Sequence, residues 1–532
     1  MCRWTPPVTA SIARTHVLGA FGRKRPHRNT MPDGAADRMD ADRDHPHGVP
    51  TSPRVAPSPA LNLGSPRAST ARRARRENAS RRKTPMHSGD RPSGTLLFLT
   101  QVYVPDPTSV GQHMAGAARE MVRRGYRVVC LTSARGYDDP SRVYPSREVL
   151  DGVEVRRLPF TSFGKQSLAR RLLGAVSFVL QAAWHGLFTR NLSGVVFSTS
   201  PPICSLAALC VKLFRRVPIL FWVMDVNPDQ AVSIGWADEK ALSVRLFDGL
   251  NRLALRASDR IVPLDRFMAE RLDSKVPCTA KQTVLPPWPH DAHSAPSARE
   301  DNPFRSEHGL GDRFVVMYSG NAGPTSPITA LLEAARAMRA EPAVEFVFIG
   351  GGIGMEEVHH AIATEELPNV RALPYQPLEC LPNSLAAADL HAVTMIDAAV
   401  GINHPCKVYG AMAAARPVLF IGPTDCHVTD LLEGASFGWR VGHDDPDALL
   451  ATLRHAAGLE GSELARMGEA GRHLIEERLS EALLTDRFAT LVEWMCGAAS
   501  STPSVAPGDS RTSPTAESSE AGYGRGGLRR GA

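Results

Sequence analysis

Lys407 stands two residues after Pro405 in the stretch 401–423, GINHPCKVYGAMAAARPVLFIGP. The pattern predicts a loop, a short helix rich in small residues and a buried strand. A lysine at the first turn of a helix, beside unpaired backbone N–H groups, can seat a phosphate group. Ala411, Ala413, Ala414 and Ala415 would let this helix press closely on a sheet. Proline at a helix start and alanine inside it are also ordinary features of any helix–strand unit, so the segment by itself leaves both readings open.

Two glycine-rich turns add to it. GNAG (320–323) follows the apolar run VVMYS, and GGG (350–352) ends VEFVFI. Glycine permits close backbone approach, and ligands of parallel sheets gather at the carboxyl ends of strands. Gly320, Gly323, Gly351 and Gly352 fit that role, and Asn321 could donate a hydrogen bond; each turn could equally be only a tight β-to-α connection. The second turn is not GxGxxG, so NAD binding is not read from it. The Asp-x-Asp runs, at 40–42 with the overlapping 42–44 and at 445–447, sit in a polar tail and at a helix cap, so no metal site is expected. No GxSxG, HExxH or Walker loop occurs, which sets aside serine hydrolase, zincin and P-loop chemistry.

The elements that must position these residues alternate between apolar strands and helical stretches. Strands are expected at 95–104, 126–133, 153–160, 194–202, 217–229 and 258–265, then, after a proline-rich connection at 286–303, in a second αβ series. Such continuous apolar strands indicate parallel sheets covered on both faces. The expected domains are 94–290 and 304–479, with a final helix at 480–497. Residues 1–93 and 498–532 lack apolar periodicity and are expected to be disordered. Met86 lies ten residues before the first strand and could be the true start.

The chain has 532 residues and a net charge of +6. Residues 1–93 hold 18 lysines and arginines against seven acids, whereas the remainder holds 43 against 48. The basic balance therefore belongs to the tail and does not argue for nucleic-acid binding by the body. The nine cysteines are scattered singly, which suits reduced thiols in the cytosol. No signal-peptide pattern is read at the N-terminus. The run 172–188 is apolar but interrupted by Gln181, Trp184 and His185, and is expected to dock on the protein or lie in a membrane interface rather than span.

The 401–423 segment resembles the donor-binding signature of retaining family 4 glycosyltransferases of the GT-B fold, in its colanic-acid and O-antigen form. Gly401, Pro405, Lys407, Tyr409, Gly410, Ala413, Ala414, Pro417 and Gly422 match it; Cys406 replaces a serine. The wider family's two glutamates fall at Ile402 and Gly410 and are absent, which leaves the ribose contact unassigned. The resemblance runs from Leu96 to about Cys496. It implies an α/β protein with two Rossmann-like domains facing a cleft, and transfer of a hexosyl or N-acetylhexosaminyl group from a nucleotide sugar, UDP-linked in expectation, to a hydroxyl.

It also implies roles. Gly320, Asn321, Gly351, Gly352, Tyr375, Gln376, Lys407 and Tyr409 would bind the donor, with PYQP (374–377) against the base. Gly111 and Gln112 would form a loop facing phosphate and acceptor, while His113 is expected to pack. Asp225, with Asp229 second, would contact or deprotonate the acceptor; capping by Asp229 and Asn227 is the competing reading. No cofactor or metal is expected. The acceptor would be a lipid-linked glycan at the inner membrane face, reached by a cytoplasmic, peripheral protein. A nucleotide-sugar 2-epimerase and a non-catalytic nucleotide-sugar binder or scaffold are the alternatives.

Overall fold

The computed structural model describes residues 94–498 except 107, 137–138, 164–167 and 290–298. The expected tails and the start at Met86 lie outside these residues, apart from Ala498. The first half runs β1 (Thr95–Leu99), α1 (Ser109–Arg123), β2 (Arg127–Ser133), β3 (Arg147–Leu150), β4 (Val153–Leu158) and α2 (Leu168–Leu187). It continues with β5 (Leu192–Ser198), α3 (Ser205–Arg215), β6 (Ile219–Trp222), α4 (Asp229–Ser233), α5 (Leu242–Ala257), β7 (Arg260–Val262) and α6 (Arg266–Lys275).

These strands make one sheet in the order β3-β4-β2-β1-β5-β6-β7. All neighbours pair in parallel except β3 with β4. That antiparallel edge strand was not anticipated. Asp151 (φ 50°) and Gly152 (φ 84°) form a two-residue turn of the kind that closes a hairpin, and they fold Arg147–Leu150 back onto β4. The expected strand 217–229 is cut to Ile219–Trp222, because the chain turns before Pro228 into the short helix α4. β1 and β6 are wholly buried, and β5 is buried at all positions but Ser193, as a sheet covered on both faces demands.

The second half begins with α7 (Pro303–Glu307), β8 (Phe314–Asn321), α8 (Thr329–Ala337), β9 (Val344–Gly351), α9 (Ile353–Thr364), β10 (Val370–Leu373), α10 (Leu381–Ala386) and β11 (Leu390–Thr394). Then come α11 (Lys407–Ala413), β12 (Val418–Ile421), α12 (His427–Gly434), β13 (Gly438–Val441), α13 (Pro446–Ala457), α14 (Gly461–Leu474) and α15 (Glu481–Met495). Its sheet is fully parallel, in the order β10-β9-β8-β11-β12-β13. The strand order reverses at β8/β11, which is where a doubly wound sheet opens a crevice for ligand at its carboxyl edge.

The final helix returns to the first sheet. After a π-helical turn at Ile475–Leu479, α15 packs on α1 and reaches β6. Phe488 is fully buried with its ring 4.4 Å from that of Trp222, which in turn lies 5.7 Å from Trp288. Arg124, at the end of α1, donates to Asp486, Thr490 and Glu493 along α15. The helix thus carries an aromatic plug and an ionic latch. Phe488→Ala is expected to cost about 3–5 kcal/mol, the usual penalty for emptying a buried aromatic site. Thermal unfolding of this variant, read against the parent, checks it; an unchanged midpoint would show that α15 does not stabilise the first sheet.

Candidate functional site

The carboxyl edges of β8 and β9 carry the glycine turns, and the structure brings them to Lys407. Gly320 has φ 130°, and a Cβ there would lie 2.9 Å from Lys407 Cε. Gly350 (φ 135°) could take no side chain either, since its Cβ would meet the Gly320 carbonyl oxygen at 2.1 Å. A Cβ on Gly351 would strike the Tyr375 ring at 2.9 Å, and one on Gly352 would strike Asn321 Oδ1 at 2.5 Å. Gly320, Asn321, Gly351, Gly352, Tyr375 and Lys407 therefore share one small surface. Gln376 adjoins it in sequence, with Nε2 donating to the Pro374 carbonyl at 2.9 Å.

Lys407 is half-buried and opens α11. Its Nζ lies 5.2 Å from the centre of the buried Tyr318 ring, and no carboxylate pairs with it among the described residues. Burial lowers its pKa to about 8. A desolvated cation beside exposed glycine backbone is a seat awaiting an anion. Because α11 has only seven residues, the charge of Lys407 rather than a helix dipole carries this electrostatic pull.

In the first half, the candidate residues lie on α1 and just after β6. Thr108 caps α1, its hydroxyl accepting from the Gly111 N–H at 3.3 Å. A Cβ on Gly111 would lie 3.1 Å from Tyr103 Cα, so glycine lets α1 seat against that loop. Gln112 is half-buried on the same turn. His113 packs as expected: its Nδ1 lies 2.6 Å from the Ser109 carbonyl and its Nε2 3.1 Å from the Trp288 carbonyl, and burial lowers its pKa to about 4.

The two candidate acids lie in contrasting surroundings. Asp225 receives a 2.5 Å hydrogen bond from Asn403 Nδ2 and lines a small pocket with Ser198, Ser205, Asn227 and Phe247. Burial raises its pKa, and the Asn403 hydrogen bond opposes the rise. Such a carboxylate holds a proton more readily than one in water. Asp229 begins α4 and is held by Arg271 at 2.9 Å and Lys275 at 2.7 Å. Its charge is spent in an ionic cluster, which also holds Asp248.

The segment 401–406 joins the halves. The Val226 N–H donates to the Ile402 carbonyl at 3.0 Å, next to the Asn403–Asp225 bond. His404 Nδ1 lies 2.7 Å from Asp265 Oδ2, the N-cap of α6. Tyr409 is placed here, not among the glycines: its hydroxyl lies 2.8 Å from His404 Nε2 and 2.6 Å from His427 Nε2. The Tyr409 hydroxyl thus bridges the two imidazoles, and His404 reaches Asp265 through its other ring nitrogen. Asp265, His404 and His427 also form the one group among the described residues with donor atoms close enough for a metal ion, all within 4.8 Å. Tyr409 occupies the space between the imidazole nitrogens and satisfies both, so the set reads as a hydrogen-bonded seam.

Arg266 fastens the same border, donating to Asp430 at 2.7 Å and to Asp425 at 3.0 Å. Cys406, the residue in place of serine, is close to Ser109 of α1; burial pushes its thiol up to about 11, against a hydrogen bond with the Ser109 side chain. Asn403, Asp265 and His427 were not singled out from the sequence. Their partners lie up to 178 residues away, and no local pattern announces such pairs.

This geometry has close relatives. Residues 108–288 match the family described as the glycosyl transferase 4-like domain. The chain is 26% identical over 301 residues to WbjE of Pseudomonas aeruginosa, named as a glycosyltransferase, covering 56% of this chain and 74% of that one. It is 22% identical over 399 residues to WcaI of Escherichia coli strain K12, named as a colanic acid biosynthesis glycosyl transferase, covering 72% and 97%. Among solved structures it superposes on Anabaena HepE in complex with UDP and glucose with a TM-score of 0.58, at 14% identity, covering 75% of this chain and all of that one. Sucrose-phosphate synthase of Thermosynechococcus elongatus gives 0.62 at 15% identity, covering 76% of this chain and all of that one. The fold is GT-B, and within it residues 108–288 carry the likeness to the glycosyl transferase 4-like domain.

Two outcomes test this site. Lys407→Ala is expected to weaken UDP binding by about 1.5–3 kcal/mol, the scale of a charged hydrogen bond. Because phosphate would raise the lowered lysine pKa, binding near pH 8 should take up protons in the parent and not in Lys407→Met, seen as a buffer-dependent enthalpy in calorimetry; equal proton uptake would remove Lys407 from the site. The second outcome concerns pH. Burial lowers the pKa of His113 and His391 to about 4 and of His427 to about 3, below the unfolded value of about 6.5. The unfolded chain then binds more protons below pH 6.5, so stability is full above that pH and falls towards pH 4, by up to about 1.4 kcal/mol per unit for each histidine. The unfolding temperature should drop between pH 7 and pH 5, and His427→Gln should reduce the drop; a flat profile would contradict neutral burial.

Proposed function

We propose that this protein transfers a sugar from a UDP-sugar to a hydroxyl of a lipid-linked glycan, with retention of anomeric configuration, in surface-polysaccharide assembly. The observation that carries the reading is Lys407, with no carboxylate partner among the described residues, set against the Gly320 backbone beside the Gly350–Gly352 turn. The UDP held by the HepE structures, and the polysaccharide context in the name of WcaI, support the choice of donor and pathway class.

In this reading the diphosphate lies on the glycine turns with Lys407 against its charge, and Tyr375 and Gln376 border the base. The bond from the sugar's anomeric carbon to the diphosphate oxygen breaks as the acceptor oxygen attacks from the same face. The acceptor proton passes to the departing phosphate oxygen, and Lys407 stabilises the charge that grows there. No enzymic nucleophile is required. Asp225 would hold and orient the acceptor hydroxyl, its burial making it a better hydrogen-bond acceptor than a solvated carboxylate. Asp229, neutralised by Arg271 and Lys275, supports the loop instead.

The experiment is UDP release from a panel of UDP-sugars with membrane lipid extract as acceptor. Release should depend on one donor and on the extract. Asp225→Asn is expected to lower turnover by about 10–100-fold, the scale of a lost charged hydrogen bond to the acceptor, with UDP affinity kept. UDP binding without release under every donor would favour the non-catalytic binder, and no nucleotide binding at all would overturn the reading.

A further inference from the structure

Between Glu154 and Asp225 the chain has no aspartate or glutamate, yet it holds nine lysines and arginines. The described body as a whole is not basic, so this is a local excess. The same stretch contains α2 and α3, and their outer surfaces are apolar. On α2, Leu172, Val176, Leu180 and Trp184 follow one another at four-residue steps, a stripe along one side of the helix that Phe188 extends into the turn after it. They face solvent, with Leu180 66% and Trp184 63% exposed. The opposite side, Gly174, Ala175, Phe178, Ala182 and Gly186, is the one buried against the sheet.

The stripe does not stand alone. α2 packs on α3, and α3 lies beside α5. α3 exposes Leu213 (72%) and Phe214, and α5 exposes Leu242 and Leu246 (75%). α15 covers the α1 side of the sheet, and among the described residues nothing covers α2, α3 and α5. Three adjacent helices thus offer leucine and aromatic side chains to water, bordered by the exposed Arg171, Arg190, Arg216, Arg245 and Arg256. The one carboxylate of the three helices, Asp248, is tied to Arg252 and Lys275 at 2.6 Å each. Large exposed apolar patches mark interaction sites, and apolar side chains with flanking cations and no free acid match the boundary of an anionic bilayer. No helix among the described residues is long and apolar enough to cross a membrane, so the face would lie on the lipid surface.

We infer that the outer face of α2, α3 and α5 docks on an anionic phospholipid bilayer. This deepens the lipid-linked-acceptor reading but stands on separate observations, and vesicle binding tests it apart from UDP binding. The measurement is cosedimentation of the full chain with extruded vesicles of phosphatidylcholine, with and without phosphatidylglycerol. The parent should bind the anionic vesicles at least tenfold more tightly. The double variant Leu180→Glu, Trp184→Glu keeps the basic N-terminal residues and changes only exposed positions. It should lose at least tenfold in vesicle affinity while its UDP affinity by calorimetry stays unchanged. Arg171→Glu with Arg245→Glu should remove the preference for phosphatidylglycerol. Equal vesicle binding by parent and Leu180→Glu, Trp184→Glu would overturn the inference. Self-association of the parent without vesicle binding, abolished by the same double variant, would overturn it in favour of an interface between copies of the chain.

Discussion

The structure depends on one short segment, 401–406, having two obligations at once. Its backbone and side chains dock on the first sheet through Ile402–Val226, Asn403–Asp225 and His404–Asp265. The next residue, Lys407, must stand against Gly320 of the second sheet. Gly401 (φ 70°) makes the turn possible, since a Cβ there would lie 2.7 Å from the Phe267 carbonyl oxygen of α6. Lys407 and the contact between domains therefore lie on the same piece of chain. A shift of the domain border would move Lys407, and the border is fastened by a buried hydrogen-bonded chain and by Arg266 as well as by apolar contact.

Much of this was legible in the sequence. Apolar runs of strand length between helical stretches dictated parallel sheets, and the glycine turns at 320 and 350–352 fell where such sheets bind ligands. Lys407 was legible through the resemblance of the whole 401–423 segment to a donor-binding signature, since proline and small residues at a helix start are ordinary by themselves. What escaped was long-range or unsigned by periodicity. The β3 hairpin turned on a single Asp-Gly pair inside a polar stretch. Tyr409 looked like part of a ligand-binding run, yet its place on α11 points its ring inward, where two histidines engage its hydroxyl. Asp225 and Asp229, four residues apart, could not be ranked by type; the cations that neutralise Asp229 come from α6, more than forty residues on.

Charge is distributed by task rather than spread evenly. The donor side offers a cation without a carboxylate, the domain border pairs its charges closely, and the stretch from 155 to 224 excludes carboxylates altogether. An unpaired buried lysine weakens the apo fold, because desolvation is not repaid by a counterion. It persists where an arriving anion supplies the missing partner. The same logic separates Asp229, whose pairs satisfy it inside the protein, from Asp225, whose one polar contact leaves room for another.

The outer helices and the acceptor side are connected through their inner surfaces. The pocket beside Asp225 is lined by Ser205 from the start of α3 and by Phe247, Leu250 and Asn251 from α5. Those helices turn apolar side chains outward and close the pocket inward. A surface that held α3 and α5 against lipid would therefore set the Asp225 pocket at a fixed height above that lipid. An acceptor anchored by a hydrocarbon tail needs this arrangement: its tail remains in the bilayer while its hydroxyl is presented to a carboxylate at the carboxyl end of β6. Under the proposed function, α2, α3 and α5 would take an orienting role, and orientation is what converts affinity for a membrane into a productive encounter with a substrate embedded in it.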